Sequence, residues 1–541
     1  MERQNVTLQR EPKKLVTPVN PSKLAKYLEG YDQIKRDYLI TGFTEGFKLE
    51  FVGKCSKLVP SNLKSTIQNP EATRQKINEE LEAGRFLGPF NQPPFKEQVI
   101  SPIGVVPKKA KNKFRLITHL SYQKGSSIND GISSEFASVK YGSVGDAIKL
   151  IKKLGTGVYM AKSDIKHAFR LIPLHESQWK YLIFKFENQW YIDICLPMGA
   201  KSSCAIFESF SSAIEWIMRH KLGIKNVVHI LDDFLILNVG KKNCKNSLNK
   251  FLEFCLEVGI PISTEKTLGP CNIIEFAGIE LDATKMISRL PEDKIVKCKH
   301  EIKEVINKSK VSLKELQRIT GLLNFACIVV YSGRVYLRRI YNLTIGLDKK
   351  YAKVKLDKGV KEDLEMWLEF LEYFNGKNFF MSDRWFTNLQ LNLYTDSSKN
   401  LGFGGYMGTE WFHRSWDMNV KSLDITTLEL YPILVALNLW NARFANLNLI
   451  IHTDNQALVA IINAQTVKKN NSCLTLLRKL IFTCLKYNIL IKAQHIPGRL
   501  NYLSDLLSRS QVNKFRSLAP EMSPEPISVP MNLSLAKLLA T

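Results

Sequence analysis

The sequence lacks the features that mark secreted, membrane-spanning and zinc-binding proteins. Its ten cysteines form no Cys-x-x-Cys pair and no Cys/His cluster at zinc spacing, which argues against a disulfide framework or a zinc module. No apolar run approaches the length of a membrane span, and the first residues contain no apolar signal core. These absences predict a soluble protein with reduced thiols, located inside the cell in the cytoplasm or the nucleus and not in a membrane.

Acidic residues are also scarce relative to basic ones. The 541 residues include 76 Lys+Arg and 51 Asp+Glu, a net charge of +25. The excess is spread along the chain, which suits a long polyanion bound over an extended surface. A membrane surface is a weaker interpretation because no basic amphipathic helix stands apart from the globular pattern. The length is too great for one hydrophobic core and predicts roughly three or four modules.

Two adjacent carboxylates make residues 227–237 the most informative segment. Asp232 and Asp233 interrupt an apolar, β-branched run that is otherwise typical of a buried strand. Burying them is costly unless a cation compensates their charge. A hairpin turn that carries both residues resolves the conflict. Two interpretations follow: an ordinary β-turn, where Asp is common because of local hydrogen bonds, and a site where a divalent metal meets phosphate.

Asp164 closes a second apolar strand upstream, at residues 158–164. From there its carboxylate can reach the hairpin turn, and three carboxylates can hold two Mg²⁺ ions about 3.5–4 Å apart. The alternative is a helix N-cap before residues 165–170. Taken together with Asp232 and Asp233, Asp164 favours the metal site. Between them, a turn at residues 197–199 allows the backbone to approach a base pair closely.

Four further acids follow in the C-terminal third, each at the end of a strand or in a helix. They are Asp396, Glu429, Asp454 and Asp505. Each has an ordinary alternative. Glu429 fits a capping box with Thr426, Asp454 fits an N-cap, Asp396 fits a turn and Asp505 fits a solvated helix position. The four together favour a second site.

The motifs over residues 108–281 resemble, in order and spacing, those of the reverse transcriptase family. Asp164, Asp232 and Asp233 match its catalytic, metal-binding aspartates. The resemblance implies a nucleotide-binding set comprising Lys108 (with Lys109 as the alternative), Arg115, Phe169, Met198, Gly199 and Lys266. It implies a primer grip at Phe276, Ala277 and Gly278.

Some of these matches imply a specific role. Phe169 falls at the family's steric gate, where a ring clashes with a ribose 2′-hydroxyl, so it implies a preference for deoxynucleotides. Lys266 falls where the family has a lysine thought to protonate pyrophosphate. Two positions depart from the commoner pattern: Met198 stands where many retroviral relatives carry Gln, and Leu231 replaces an aromatic residue.

The C-terminal set resembles the ribonuclease H family. Asp396, Glu429, Asp454 and Asp505 match its four metal-binding carboxylates in order. His495, followed by Asn501 and Asp505, matches the family's mobile histidine pattern. The implied role of His495 is proton shuttling and product release. Asn455 and Gln456 are implied contacts to RNA 2′-hydroxyls.

Reverse transcriptase followed by ribonuclease H is the order found in retroelement polyproteins. Residues 58–520 resemble DIRS-type elements, including their Ngaro-like relatives, in segments such as 101–109, 127–131 and 321–327. Those elements integrate with a tyrosine recombinase, and no recombinase fits before Thr541. We therefore expect a processed product, a truncated gene or one reading frame of an element. The implied partners are an RNA template, a DNA primer, the RNA:DNA hybrid, dNTPs, and the tyrosine recombinase and Gag-like protein of the same element.

The expected fold is α+β and α/β multidomain: a right-hand polymerase with fingers, palm and thumb/connection, followed by a ribonuclease H-like domain. The expected segments are a partly irregular basic arm at 1–70, fingers and palm at 71–290, helical thumb/connection at 291–385, the ribonuclease H-like domain at 386–512 and a proline-containing, linker-like tail at 513–541.

The expected activities are RNA- and DNA-directed DNA synthesis by two-metal nucleotidyl transfer and ribonuclease H degradation of RNA in the hybrid. Each active site would use two Mg²⁺ ions, with Mn²⁺ as a substitute. One alternative is a domesticated or defective element protein that binds nucleic acid without catalysis, although all seven carboxylates are present. Another is an RNA-synthesising polymerase, against which Phe169 argues.

Overall fold

The computed structural model describes residues 16–54, 58–108, 113–347, 352–374, 378–379, 384–416, 420, 422–468 and 470–540. The chain divides into two compact units. The first contains Met1–Ala277 and Leu281–Met286, and the second contains Gly278–Glu280 and Ile287–Thr541. Within the described ranges, the helices are all too short or too polar to cross a membrane.

The first unit combines helices with β-strands. Its helices are α1 (Pro21–Tyr27), α2 (Gln33–Glu45), α3 (Lys64–Gln68), α4 (Pro70–Glu82), α5 (Val144–Leu154), α6 (Glu176–Trp179), α7 (Ser203–His220) and α8 (Lys241–Val258). Its strands are β1 (Phe86–Phe90), β2 (Ile103–Pro107), β3 (Phe114–Thr118), β4 (Tyr159–Asp164), β5 (Ile183–Phe186), β6 (Gln189–Asp193), β7 (Val227–Ile230), β8 (Asp233–Asn238), β9 (Leu268–Cys271) and β10 (Ile273–Phe276). A further strand, β11 (Ile279–Asp282), contains residues of both units.

The central sheet of this unit has the strand order β7-β8-β4-β9. The amphipathic helices α7 and α8 pack on it, and Phe210 and Phe251 lie in the same buried cluster as Phe234 of β8. Strands β1, β6 and β5 form a second sheet, and β2 and β3 form a hairpin.

The basic N-terminal segment is more ordered than its many prolines suggested. Helix α1 is capped by the Asn20 side chain, which accepts the Lys23 N–H, and α2 is capped by Asp32 in the same way. Leu39 and Phe43, four residues apart on α2, are buried in the main core of the first unit. Residues 16–54 therefore belong structurally to that unit.

The second unit begins helical and ends with a layered α/β arrangement. Its helices are α9 (Glu292–Ile306), α10 (Leu313–Ala326), α11 (Arg338–Asn342), α12 (Lys358–Glu369), α13 (Asn388–Leu391), α14 (Ile425–Leu439), α15 (Asn441–Phe444), α16 (Gln456–Ala464), α17 (Asn471–Lys486), α18 (Tyr502–Ser508), α19 (Val512–Leu518) and α20 (Leu535–Ala540). Its strands are β12 (Ile287–Arg289), β13 (Lys310–Ser312), β14 (Lys353–Lys355), β15 (Asn378–Phe379), β16 (Trp385–Phe386), β17 (Leu393–Ser397), β18 (Gly402–Met407), β19 (Glu410–Ser415), β20 (Asn448–Thr453) and β21 (Leu490–His495).

Strand pairing in the C-terminal part is mixed. Strands β17, β18 and β19 form an antiparallel meander, while β16, β20 and β21 pair in parallel, and β17 lies beside β20. The packing of β18 against α18 requires glycine at position 404. A Cβ there would lie 2.5 Å from Leu507 of α18, so only glycine permits this close approach. Ser312 and Glu315 form a capping box at the start of α10.

The C-terminal tail differs from the linker-like expectation. Although prolines interrupt it, Phe515 and Leu535 are buried. The Trp411 indole N–H donates to the Ser523 carbonyl at 2.8 Å, and the Tyr431 hydroxyl donates to the Leu533 carbonyl at 2.9 Å. Apolar residues between the prolines therefore pack the tail against β19 and α14.

Candidate active sites

The first acidic site, Asp164, Asp232 and Asp233, is assembled by strand register. Asp164 is the last residue of β4 and pairs with Asp233, the first residue of β8. Asp232 lies in the β7–β8 turn beside Leu231, whose φ is +53°. The Ile165 N–H donates to the Asp232 carbonyl at 3.0 Å. The predicted hairpin turn is present, and Asp164 is a strand residue rather than a helix cap.

Burial and mutual repulsion disfavour the ionised carboxylates of this site unless a cation compensates their charge. Burial, followed by the repulsion of Asp164, raises the pKa of Asp232 above its ordinary value. Burial also raises the pKa of Asp233 to about 6, with Lys162 opposing the shift and Asp164 and Asp232 adding to it. The Lys266 ammonium donates to both carboxylate oxygens of Asp164, each at 2.9 Å.

The donor chemistry of the first acidic site fits a divalent cation. Carboxylate oxygens are the ligands that Mg²⁺ prefers, and a cation would relieve the mutual repulsion that raises the pKa values of Asp232 and Asp233. Within the described part of the chain, however, no three or more His, Cys, Asp or Glu residues are close enough to enclose an ion.

The predicted nucleotide-binding residues lie on several separate segments of the first unit. Arg115 pairs with Val106 across the β2–β3 hairpin, and the Lys108 N–H donates to the Lys113 carbonyl at 2.7 Å. Lys108 and Arg115 are both exposed, whereas Lys109 lies outside the described residues. Phe169 stacks on Phe207 with ring centroids 4.9 Å apart. The side chains of Lys108 and Arg115 are thus open to solvent.

The turn that carries Met198 and Gly199 is held by a residue to which we assigned no role from the sequence. Met198 is 48% exposed, and Gly199 has a φ of +100°. The Asn129 amide donates to the Gly199 carbonyl at 2.9 Å, and its oxygen accepts the Lys201 N–H at 2.7 Å. Because Asn129 lies 70 residues before Gly199, local patterns contain no signal for this contact.

The predicted primer grip begins at Phe276, the last residue of β10. Phe276 is fully buried, and Ala277 has a φ of +47°. Lys162 of β4 donates to the Glu275 carbonyl at 2.7 Å, which ties the strand that carries Asp164 to this segment. The Gly278 carbonyl accepts a hydrogen bond from Lys294 at 2.6 Å.

The second acidic site, Asp396, Glu429, Asp454 and Asp505, draws on β17, α14, the residue after β20, and α18. The structure assigns helix capping to other residues nearby. Asp424 caps α14 by accepting the Thr427 N–H, and Asn455 caps α16 by accepting the Leu458 N–H. The capping roles considered for Glu429 and Asp454 are therefore wrong. Both acids are left available to the site.

The acids of the second site raise one another's pKa values. Burial raises the pKa of Glu429 to about 8, and Asp454 and Asp396 add to the shift. Burial raises the pKa of Asp396 to about 6, although the Ser508 hydroxyl donates to its carboxylate at 2.6 Å. Their oxygen donors suit Mg²⁺ for the same reason as at the first acidic site.

Several polar residues surround the second acidic site. Arg509 donates to Asp505 at 2.7 Å. The Asn501 amide donates to the Thr395 carbonyl at 3.1 Å, immediately before Asp396. His495 is the last residue of β21, pairs with Thr453 and is exposed. Ser508 was not predicted as a site residue, and its contact with Asp396 spans 112 residues.

Comparison with known proteins identifies the central part of the first unit. Residues 106–281 match the family model described as Reverse transcriptase (RNA-dependent DNA polymerase). The chain is 26% identical over 370 residues to a putative enzymatic polyprotein of Cassava vein mosaic virus, covering 65% of this chain and 52% of the relative. It is 24% identical over 542 residues to a retrovirus-related Pol polyprotein from transposon opus of Drosophila melanogaster, covering 93% and 50%.

The chain thus spans about half the length of these curated relatives. Among solved structures, the foamy viral protease-reverse transcriptase dRH in complex with double-stranded DNA aligns with a TM-score of 0.49 and 15% identity, covering 90% of this chain and 84% of that one. The sequence matches show that this chain contains a reverse transcriptase domain and that its homologues include a retrotransposon Pol polyprotein and a viral polyprotein.

Proposed function

We propose that the chain is an RNA- and DNA-directed DNA polymerase that copies retroelement RNA into DNA. The observation that carries the proposal is the pairing of Asp164 with Asp233, which gathers three carboxylates at one end of the central sheet. These residues lie inside the segment that matches the reverse transcriptase model. The net charge of +25 suits a nucleic-acid substrate.

In the proposed reaction, Asp164, Asp232 and Asp233 would hold Mg²⁺, with Mn²⁺ as a substitute. When bound, a pair of such ions supplies activation of the primer 3′-hydroxyl and neutralises charge on the phosphates. Lys108 and Arg115 bind the triphosphate through the exposed β2–β3 hairpin. Lys266, which donates to Asp164 at 2.9 Å, would give a proton to the pyrophosphate leaving group.

We infer a second activity, hydrolysis of RNA in an RNA:DNA hybrid, at the second acidic site. Asp396, Glu429, Asp454 and Asp505 would hold the ions that activate water. His495, exposed beside the strand that leads to Asp454, would move protons and assist product release. The raised pKa values of Asp396 and Glu429 support a role in cation binding rather than an ordinary structural one.

The proposed architecture is a right-hand polymerase with a ribonuclease H-like domain. Residues 71–290 would form the fingers and palm, 291–385 the thumb and connection, and 386–512 the ribonuclease H-like domain. Phe276, Ala277 and Gly278 would form the primer grip. We further propose a DIRS-type, Ngaro-like element as the source, with a tyrosine recombinase and a Gag-like protein of that element as partners.

A primed RNA template with dNTPs and Mg²⁺ tests both activities in one reaction. We compare the wild type with Asp232→Asn and Asp505→Asn and follow primer extension and RNA cleavage together. Each substitution should abolish the activity of its own site and leave the other activity near the wild-type level, so each variant is the folding control for the other. Absence of both activities in a folded wild type, with hybrid binding retained, would favour the non-catalytic binding protein.

A further inference from the structure

Arg170 immediately follows the predicted steric-gate residue Phe169 and is the centre of a buried ion network. Both residues lie in the 3-10 helix Ala168–Leu171. The Arg170 side chain is only 13% exposed. It donates to Asp193, at the end of β6, at 2.9 Å and to Glu80 of α4 at 2.9 Å. Two carboxylates from distant parts of the chain therefore fix this guanidinium.

The same guanidinium also reaches the segment that joins β6 to the Met198–Gly199 turn. It contacts the carbonyls of Cys195 and Leu196 at 3.4 and 3.5 Å. Asp193 strengthens the link because its second carboxylate oxygen accepts the Cys195 N–H at 3.2 Å. Since Met198 and Gly199 follow within four residues, Arg170 connects the backbone of Phe169 with the turn proposed to contact the incoming nucleotide.

The backbone before Phe169 requires such support. His167 has a φ of +65° and Ala168 a φ of +32°, a region that residues with a Cβ rarely adopt and that persists only when the surroundings impose it. The Arg170 N–H donates to the His167 carbonyl at 2.7 Å, which closes this tight segment. On the other side, the Phe169 ring stacks on Phe207. Both the ring and the backbone of Phe169 are thus held in place.

We propose that Arg170 is a positioning residue for sugar selection: it holds Phe169 at a fixed distance from the Met198–Gly199 turn, so that a nucleotide with a 2′-hydroxyl is excluded. The inference rests on the proposed polymerase function and extends it, because the ring alone cannot discriminate unless its distance from the nucleotide is fixed. A guanidinium suits this task, since its planar fork binds several acceptors in one fixed orientation.

The test compares Arg170→Lys with Arg85→Lys. Lysine at position 170 keeps a positive charge beside Asp193 but loses the fork that also reaches Glu80 and the two carbonyls. Arg85 donates to the same Glu80 carboxylate, at 2.8 Å from both Nε and Nη2, so its lysine variant perturbs the network without breaking the link to residues 195 and 196. The measured quantity is kcat/KM for a dNTP divided by that for the matching rNTP.

We expect Arg170→Lys to lower this ratio by about 10- to 100-fold, because a small displacement of a positioning group has effects of that order. Arg85→Lys should leave the ratio unchanged. In a Phe169→Ala background, which lacks the gate, Arg170→Lys should have no further effect on the ratio. This non-additivity separates action through Phe169 from general damage to the fold, and RNA cleavage at the second acidic site serves as the folding control.

An unchanged ratio in a folded Arg170→Lys variant that still incorporates dNTPs would overturn the inference and leave the proposed function intact. Failure of the wild type to incorporate any dNTP would instead overturn the proposed function. If Arg170→Lys does not fold, Asp193→Asn provides the second test, because it weakens the same link and leaves the Glu80 contact in place. Loss of the fold in both variants, with Arg85→Lys folded, would show that Arg170 serves folding and not selection.

Discussion

His229 offers a quantitative test of how the hairpin of the first acidic site is held. It lies on β7, three residues before Asp232, and only 6% of it is exposed. One imidazole nitrogen bonds Glu208 at 2.9 Å and the other bonds Glu215, both on α7. Arg219 also binds Glu215, at 2.9 Å. A doubly bonded imidazolium thus ties β7 to α7.

The contribution of these hydrogen bonds to folding stability follows from the pKa of His229. Burial lowers it, but the hydrogen bonds and charges of Glu208 and Glu215 outweigh burial and raise it from 6.5 to about 9. At 1.36 kcal/mol per pH unit, this corresponds to about 3 kcal/mol of folding free energy. Because the folded-state pKa is the higher one, the stabilisation is fully present below about pH 6.5 and is lost as the pH rises through about 9.

Calorimetry of the full chain can measure this contribution. At about pH 6, His229→Gln should lower the unfolding temperature of the first unit by roughly 5–10 °C, and the difference from the wild type should narrow above about pH 9. His220→Gln is the matched control, since His220 is an exposed histidine on α7, the helix that carries Glu208 and Glu215. A difference between His229→Gln and the wild type that stays constant from pH 6 to 10 would refute the reasoning.

Three further predictions concern the second unit. Glu429→Gln should abolish RNA cleavage yet raise the free energy of unfolding of the metal-free protein by roughly 1–3 kcal/mol at about pH 8. Burial and neighbouring acids raise the folded-state pKa of Glu429 from 4.5 to about 8, so the wild type loses stability as the pH rises between these two values, where the unfolded chain ionises and the folded chain does not. Unchanged stability in thermal unfolding at about pH 8 would contradict this. Arg478→Met should lower the free energy of unfolding by about 3–5 kcal/mol, since Arg478 pairs with the fully buried Asp363. Adding Asp363→Asn to that variant should recover part of this free energy in urea unfolding, and no recovery would refute the pairing. Phe515→Ala should lower the free energy of unfolding of the second unit by about 3–5 kcal/mol, because it removes a fully buried ring. If the tail acted only as a linker, calorimetry would show the same unfolding temperature for Phe515→Ala and the wild type.

The parts of the sites that the sequence predicted are those governed by local rules. Carboxylates in an apolar β-branched run favour a turn, and Asp232 lies in the β7–β8 turn while Asp233 is the first residue after it. Helix capping was less predictable, because neighbouring residues of the same chemical type compete: Asn455, not Asp454, caps α16. The hydrogen bonds of Arg170 to Glu80 and of Ser508 to Asp396 span 90 and 112 residues. Such contacts depend on tertiary packing, which local periodicity does not encode.

At both acidic sites, partly buried carboxylates lie near like charges, so the proposed activities depend on how a cation and a nucleic acid bind together. In each, burial and like charges raise the pKa of at least one carboxyl, Asp233 to about 6 and Glu429 to about 8. A nucleic-acid phosphate adds further negative charge, so substrate binding alone would raise these pKa values more. The distributed net charge of +25 attracts the polyanion but cannot neutralise charges this close together. Cation and nucleic-acid binding should therefore be positively coupled at both sites, more strongly at the second, where Glu429 requires the larger shift to ionise.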